Sequence, residues 1–151
     1  MIVIRKSQTA DTRSCDYANV SEQTLFDSTV SHVQDVTRAI HFFRLLLEQA
    51  SLTHDDHKFE TMDRFHKAFV DGFKDTSWWD EHARETRHYL LKHVPEDVNL
   101  VDVIEFICDC VMAGMARTGK VYDIELPNEV LQKAFQNSIN LLKNNVTVLE
   151  D

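Results

Sequence analysis

Glycine and proline are scarce in this chain, three and two among 151 residues. So little punctuation leaves few points at which a helix must stop, and the apolar residues between them recur at three- and four-residue spacing, so the chain reads as mostly helical. No glycine-rich phosphate loop is present. Cysteine is equally sparse. Cys15, Cys108 and Cys110 are an odd number, which argues against a complete disulfide framework. The Cys108-x-Cys110 spacing sends the two thiols to nearly opposite sides of a helix, so a zinc clamp is not expected there. No apolar run approaches the length of a membrane span. The start Met1-Ile2-Val3-Ile4-Arg5-Lys6 is too short and wrongly flanked for a secretory signal, so a cytoplasmic location is expected. Positive charge is the last deficit. A net charge of −9 argues against a nucleic-acid polymer as partner, while small anions remain open if a metal ion supplies positive potential locally. Internal repeats, low-complexity segments and locally supported Ser-His-Asp or Cys-His arrangements are also missing.

What is there is an ordinary globular balance of apolar and charged residues at a length suited to one domain. Residues 1–19 read as a loose arm or short strand, and residues 20–151 as an all-α bundle of about five or six helices. The first helix is expected from near Ser21 or Ser28 to Ala50, with Val33, Val36, Ile40, Phe43 and Leu47 on one face and His32 at its flank. A second starts at His54-Asp55 and carries Phe59, Met62, Phe65, Phe69 and Phe73. A third is expected from Trp78 to about His93, behind a Ser77/Asp80 cap and closed by Pro95. Asn99 caps a fourth with a stripe of Val101, Ile104, Cys108, Val111 and Met115, ending near Gly119; a fifth follows Pro127 and carries Val130, Leu131, Phe135, Ile139 and Leu142.

Against this scaffold the segment Leu52-Thr53-His54-Asp55-Asp56-His57-Lys58 stands out. Imidazole and carboxylate suit first-row divalent ions, and an adjacent pair at a helix start meets one ion from two directions where the backbone is not yet regular. Lys58 lies about one turn further on, where a phosphate held by the ion would lie. Asp102, Glu105 and Asp109 fall within one narrow helical stripe whose bland reading is a solvated acidic edge. Eight histidines are available. On an unbroken third helix His82 and His93 share a face and His88 points away from both, so all three join one site only if that helix ends early. His41 and His66, set among phenylalanines, read as structural, and His57 reads as exposed. Trp78-Trp79 reads as a buried aromatic pair, or else as an exposed interface.

The ordered set His32, His54-Asp55 with Lys58, His88 and His93, then Asp109 resembles the HD-domain superfamily of metal-dependent phosphohydrolases, over about residues 30 to 118. Leu-x-His-Asp-x-x-Lys-Phe-Glu, together with His93-Val94-Pro95-Glu96 and the run to Asp109, also resembles a small phage-associated family of unknown function. The resemblance implies that His32, His54, Asp55 and Asp109 hold a divalent ion (Mn, Fe, Co, Ni, Zn or Mg), with His88 and His93 candidates for a second. Asp102 is the rival of Asp109 as last ligand. It further implies hydrolysis of a nucleotide or other small phosphate ester, with Lys58, and Arg84 or Arg87, meeting substrate charge, and Asp102 or Glu105 orienting water. A di-iron oxygenase is a close variant on the same scaffold. The contrasting expectation is a non-catalytic helical binding or inhibitor protein, phage-encoded and able to form oligomers, with a structural or degenerate metal site.

Overall fold

The computed structural model describes residues 1–6 and 18–150; Cys15 and most of the expected N-terminal arm lie outside them. The described chain is mostly helical: α1 (Glu22–Thr53), α2 (Asp56–Glu60), α3 (Met62–Val70), α4 (Ser77–Glu85), α5 (Leu100–Thr118) and α6 (Asn128–Asn144), with β1 (Ile2–Arg5) and β2 (Val146–Leu149) at the two ends. Among the described residues no helix is long and apolar enough to cross a membrane.

The chain divides into two compact units, Met1–Leu45 with Asn140–Asp151, and Leu46–Ile139. In the first, β1 pairs with β2 in parallel, Ile2 opposite Val146. β2 was not expected; its signal is the β-branched run Val146-Thr147-Val148 just beyond the helix end. The Ser21 hydroxyl accepts the Thr24 amide at 3.1 Å, which settles the start of α1 at Ser21 rather than Ser28. The apolar face expected on this part of α1 is not a core: Val33, Val36 and Ile40 are exposed.

The second unit holds the larger core, Leu90, Val98, Val103, Phe106 and Ala134, flanked by Val94, Leu100, Cys110, Ile124 and Leu126. Asn99 caps α5 as expected. Its side chain accepts the Val101 amide at 2.9 Å and the Asp102 carboxylate accepts the Asn99 amide at 2.8 Å, a reciprocal capping box. Gly119 ends the helix in the left-handed conformation at φ 70°. The α5 residues in the core cluster are Val103 and Phe106; of the expected stripe Val101 is buried and Val111 half-buried, while Ile104, Cys108 and Met115 are exposed.

Two helices break where the sequence pattern runs on. The expected second helix stops at Thr61 and restarts at Met62, and the third ends at Glu85, well before His93. The Ser77/Asp80 cap is replaced by Asp75, whose carboxylate accepts the Ser77 amide at 2.9 Å. After Glu85 the chain runs through turns to Asn99, and it is held there by Arg87. Its guanidinium donates to both Asp102 oxygens at 2.7 and 2.9 Å and to Asp97 at 3.1 Å. Removing this clamp leaves a buried carboxylate short of partners. Arg87→Met is expected to lower stability by about 1–3 kcal/mol, read as a lower denaturant midpoint, whereas Asp97→Asn at the exposed end should change it by under about 0.5 kcal/mol.

Candidate metal centre

α1 and α2 are separated by two residues, His54 and Asp55, the second in an uncommon backbone state. Asp55 lies at φ 60°, ψ 18°, the left-handed region that a short polar side chain tolerates better than most. Its carbonyl accepts the Lys58 amide at 2.8 Å and so opens α2. His54 and Asp55 therefore leave an irregular step of the chain, and their side chains converge instead of diverging as neighbours on a helix do. His54 Nε2 stands 3.6 Å from Asp55 Oδ2 and 3.8 Å from Asp109 Oδ1.

The early end of α4 supplies the next two histidines. His82 is on its last turn and His88 in the following turn, and both are fully buried. His82 Nε2 lies 3.3 Å and His88 Nε2 3.6 Å from Asp55 Oδ1, none of them in hydrogen-bonding geometry. Ligand atoms of His54, Asp55 and His88 all fall within 4.8 Å of one another. Ligands about 2.1 Å from a common ion are roughly 3.0–3.5 Å apart, so these spacings suit a divalent cation.

The partners of the far ring nitrogens decide which protons are where. Glu105 Oε1 lies 2.9 Å from Nδ1 of both His54 and His88. A carboxylate only accepts, so both Nδ1 atoms carry the proton, and in the neutral rings both Nε2 atoms present lone pairs. A second chain fixes His82. His57 Nε2 donates to Glu81 at 3.4 Å, leaving its Nδ1 to accept, at 3.1 Å, from His82 Nδ1. His82 Nε2 then also presents a lone pair. Three imidazole lone pairs and an aspartate thus face one another in a mostly buried space with no donor among them except Lys58. Opposed acceptors at these distances repel, and a cation turns the repulsion into ligation.

Electrostatics agrees. Burial pushes the Asp55 carboxyl up, and the Lys58 ammonium, through its hydrogen bond and its charge, pulls it down, so that on balance it lies well below the usual carboxylate range. Glu105 is likewise raised by burial and, on balance, lowered by the hydrogen bonds from His88 and His54. Burial, reinforced by the Asp55 and Asp109 charges, pushes the Tyr89 phenol well above its ordinary value, so it stays a neutral hydroxyl. Outside the cluster, the Arg64 guanidinium and then His57 hold Glu81 at about 2.

Of the expected site residues, the fold brings together His54, Asp55, His88, Glu105 and Asp109, and Lys58 pairs with Asp55 directly. His82, absent from the expected set, joins them. Trp78 stacks on His82 at 4.9 Å and 11° and is itself buried, its indole donating to Thr61 at 2.8 Å. His32 is exposed on α1, in the first unit, and is not among the residues that gather at the centre. His93 is half-buried in a turn and outside the group. Asp102 caps α5 and pairs with Arg87, so neither is available for substrate or water. His57, expected on the surface, is instead nearly covered.

The roles of Glu105 and His57 are separable from simple packing. Glu105→Ala is expected to weaken metal binding by roughly 10- to 100-fold, with a smaller loss in Glu105→Gln, which keeps an acceptor oxygen. His57→Ala should cost a similar factor and His57→Asn recover part of it, because the amide oxygen stands in for the accepting Nδ1. Isothermal titration with Co²⁺ or Zn²⁺ reads both series, and equal affinity in Ala and wild type would remove the residue from the centre.

Comparison of the chain with protein families, with curated proteins and with solved structures finds no match in any of the three.

Proposed function

We propose that the chain is a metal-dependent phosphohydrolase in which Asp55 with His82 and His88 would hold one divalent ion, and Asp55 with His54 and Asp109 a second. The observation that carries this reading is the division of one carboxylate between two ligand sets. Asp55 Oδ1 faces His82 and His88, while Oδ2 faces His54, with Asp109 completing that side. Buried, unpartnered Nε2 atoms on His82 and His88 support it, since such atoms cost free energy unless a ligand engages them. Divalent ions at such a centre polarise a phosphoryl oxygen and acidify water.

The chain's own groups then divide the remaining work. Lys58 pairs with Asp55 and lies 3.4 Å from the Tyr89 hydroxyl. Were Asp55 to hold cations, the Lys58 ammonium would be free to meet a phosphoryl oxygen a turn away from the ligands. The Tyr89 hydroxyl accepts from Lys58 and, held protonated, keeps its own proton to offer a substrate oxygen at the same edge. Glu105 holds two ligand rings rigid through the reaction. In the hydrolysis, water oxygen bonds to phosphorus, the ester P–O bond breaks, and the leaving alcohol takes a proton that the water gives up.

Metal analysis of protein reconstituted with Mn²⁺, Fe²⁺, Co²⁺, Ni²⁺ or Zn²⁺ tests the centre. Two equivalents are expected in the wild type, about one in His82→Ala, and none held tightly in Asp55→Ala. Full retention in Asp55→Ala would sink the assignment. The chemistry is tested separately with a panel of phosphate monoesters and nucleotides. Lys58→Ala should lower the rate on the order of 10²-fold, as for other electrostatic donors, with metal content unchanged. A filled centre that is silent across the panel would favour the non-catalytic reading.

A further inference from the structure

Beside the cluster lies a cleft of about 410 Å³ formed by the end of α1 and one face of α5. Its apolar walls include Leu47, Ile104 and Met112, and its polar wall is His54, Glu105 and Asp109, side chains of the metal centre itself. Ile104 and Met112 are 42% and 67% exposed, so this face is open to a ligand and not a sealed part of the core. Among the described residues no lysine or arginine lines it.

With ions at Asp55, Lys58 is free for the head group, while Arg64 stays paired with Glu81, Arg87 with Asp97 and Asp102, and Lys92 with Asp80. A nucleoside di- or triphosphate would bring several negative charges to a cleft whose lining holds two carboxylates and no guanidinium or ammonium for the outer phosphates. An apolar body bearing one oxyanion has the opposite fit. Its head reaches ions at Asp55, and its body removes Leu47, Ile104 and Met112 from water. The volume falls in the usual range for small-molecule sites, which are mostly apolar with a few placed polar groups.

Resting on the metal-centre reading above, we propose that the cleft is a binding site for a ligand with an apolar body and a single oxyanion head. The chemistry is that of an alkyl or aryl phosphate monoester or the matching carboxylate, in preference to a nucleotide.

The test uses the full chain loaded with Co²⁺, whose visible absorption reports ligation without any turnover. Binding is titrated for methyl, butyl and hexyl phosphate, for acetate, pentanoate and heptanoate, and for AMP and ATP. Affinity is expected to rise by up to roughly three- to fourfold per methylene as each is buried, with hexyl phosphate or heptanoate tighter than AMP and ATP. The series that shows this dependence identifies the head group. Met112→Asp and Ile104→Asp, both at exposed positions, should flatten it while Co²⁺ content stays at the wild-type level. Affinity independent of chain length in both series, or ATP tighter than hexyl phosphate, overturns the proposal and leaves the metal centre standing. Failure to take up Co²⁺ overturns both.

Discussion

The second unit is organised around a conflict that the protein creates on purpose at Asp55. Its carboxylate is kept ionised while three imidazoles turn lone pairs towards it. Each of those orientations is enforced from behind, two by Glu105 and one by the His57–Glu81 pair. Among the described residues Lys58 is the cation that pairs with Asp55, and it does so through Oδ2. The Oδ1 side has no donor of its own, so its stability depends on something positive arriving there. Every other feature of the site follows from holding these groups in place. The left-handed step at Asp55, the stacked Trp78 over His82 and the early end of α4 all fix ring positions that a regular helix would not give.

α5 shows how one helix serves both the fold and the site. Its first turn is committed to structure, with Asp102 satisfying the Asn99 amide and the Arg87 guanidinium. One and two turns further on, Glu105 and Asp109 face His54 and His88. The three carboxylates lie along one stripe in sequence, yet only position along the helix axis separates a cap from a ligand. A helix start has unpaired amides that draw in the nearest carboxylate, so the first acid of such a stripe is taken by the backbone. The remaining two are left for chemistry.

This explains what was legible beforehand. The helical class, the Asn99 cap and the Gly119 stop could be read from residue type and spacing, which are local signals, whereas the pairing of His54-Asp55 with Asp109 was implied only by the family resemblance. The breaks at Thr61 and after Glu85 could not, because neither has a glycine or proline at the break and the apolar period continues past both. Missing the second break hid the partnership of His82 with His88, which a continuous helix would have pointed apart. The exchange of Asp102 for a structural role depended on Arg87, fifteen positions away in sequence and adjacent only after the turns fold back. His32 had the residue type and the order but belongs to the first unit and is exposed there.

The apolar periodicity of α5 carried a second meaning that composition alone concealed. Ile104, Cys108 and Met115 have helical spacing and read as a core stripe, yet the core is built from Val103 and Phe106 on another face. The stripe is left outside because the core is already closed over by Leu90, Val98 and Ala134, and the end of α1 covers part of the stripe without filling it. Exposed apolar side chains that border a polar cluster cost solvation free energy in the unbound protein, and a ligand that covers them recovers it. The apolar stripe and the acidic stripe of α5 are therefore two walls of one cleft. The acidic wall is suited to cations, and the apolar wall has nothing to offer a second phosphate.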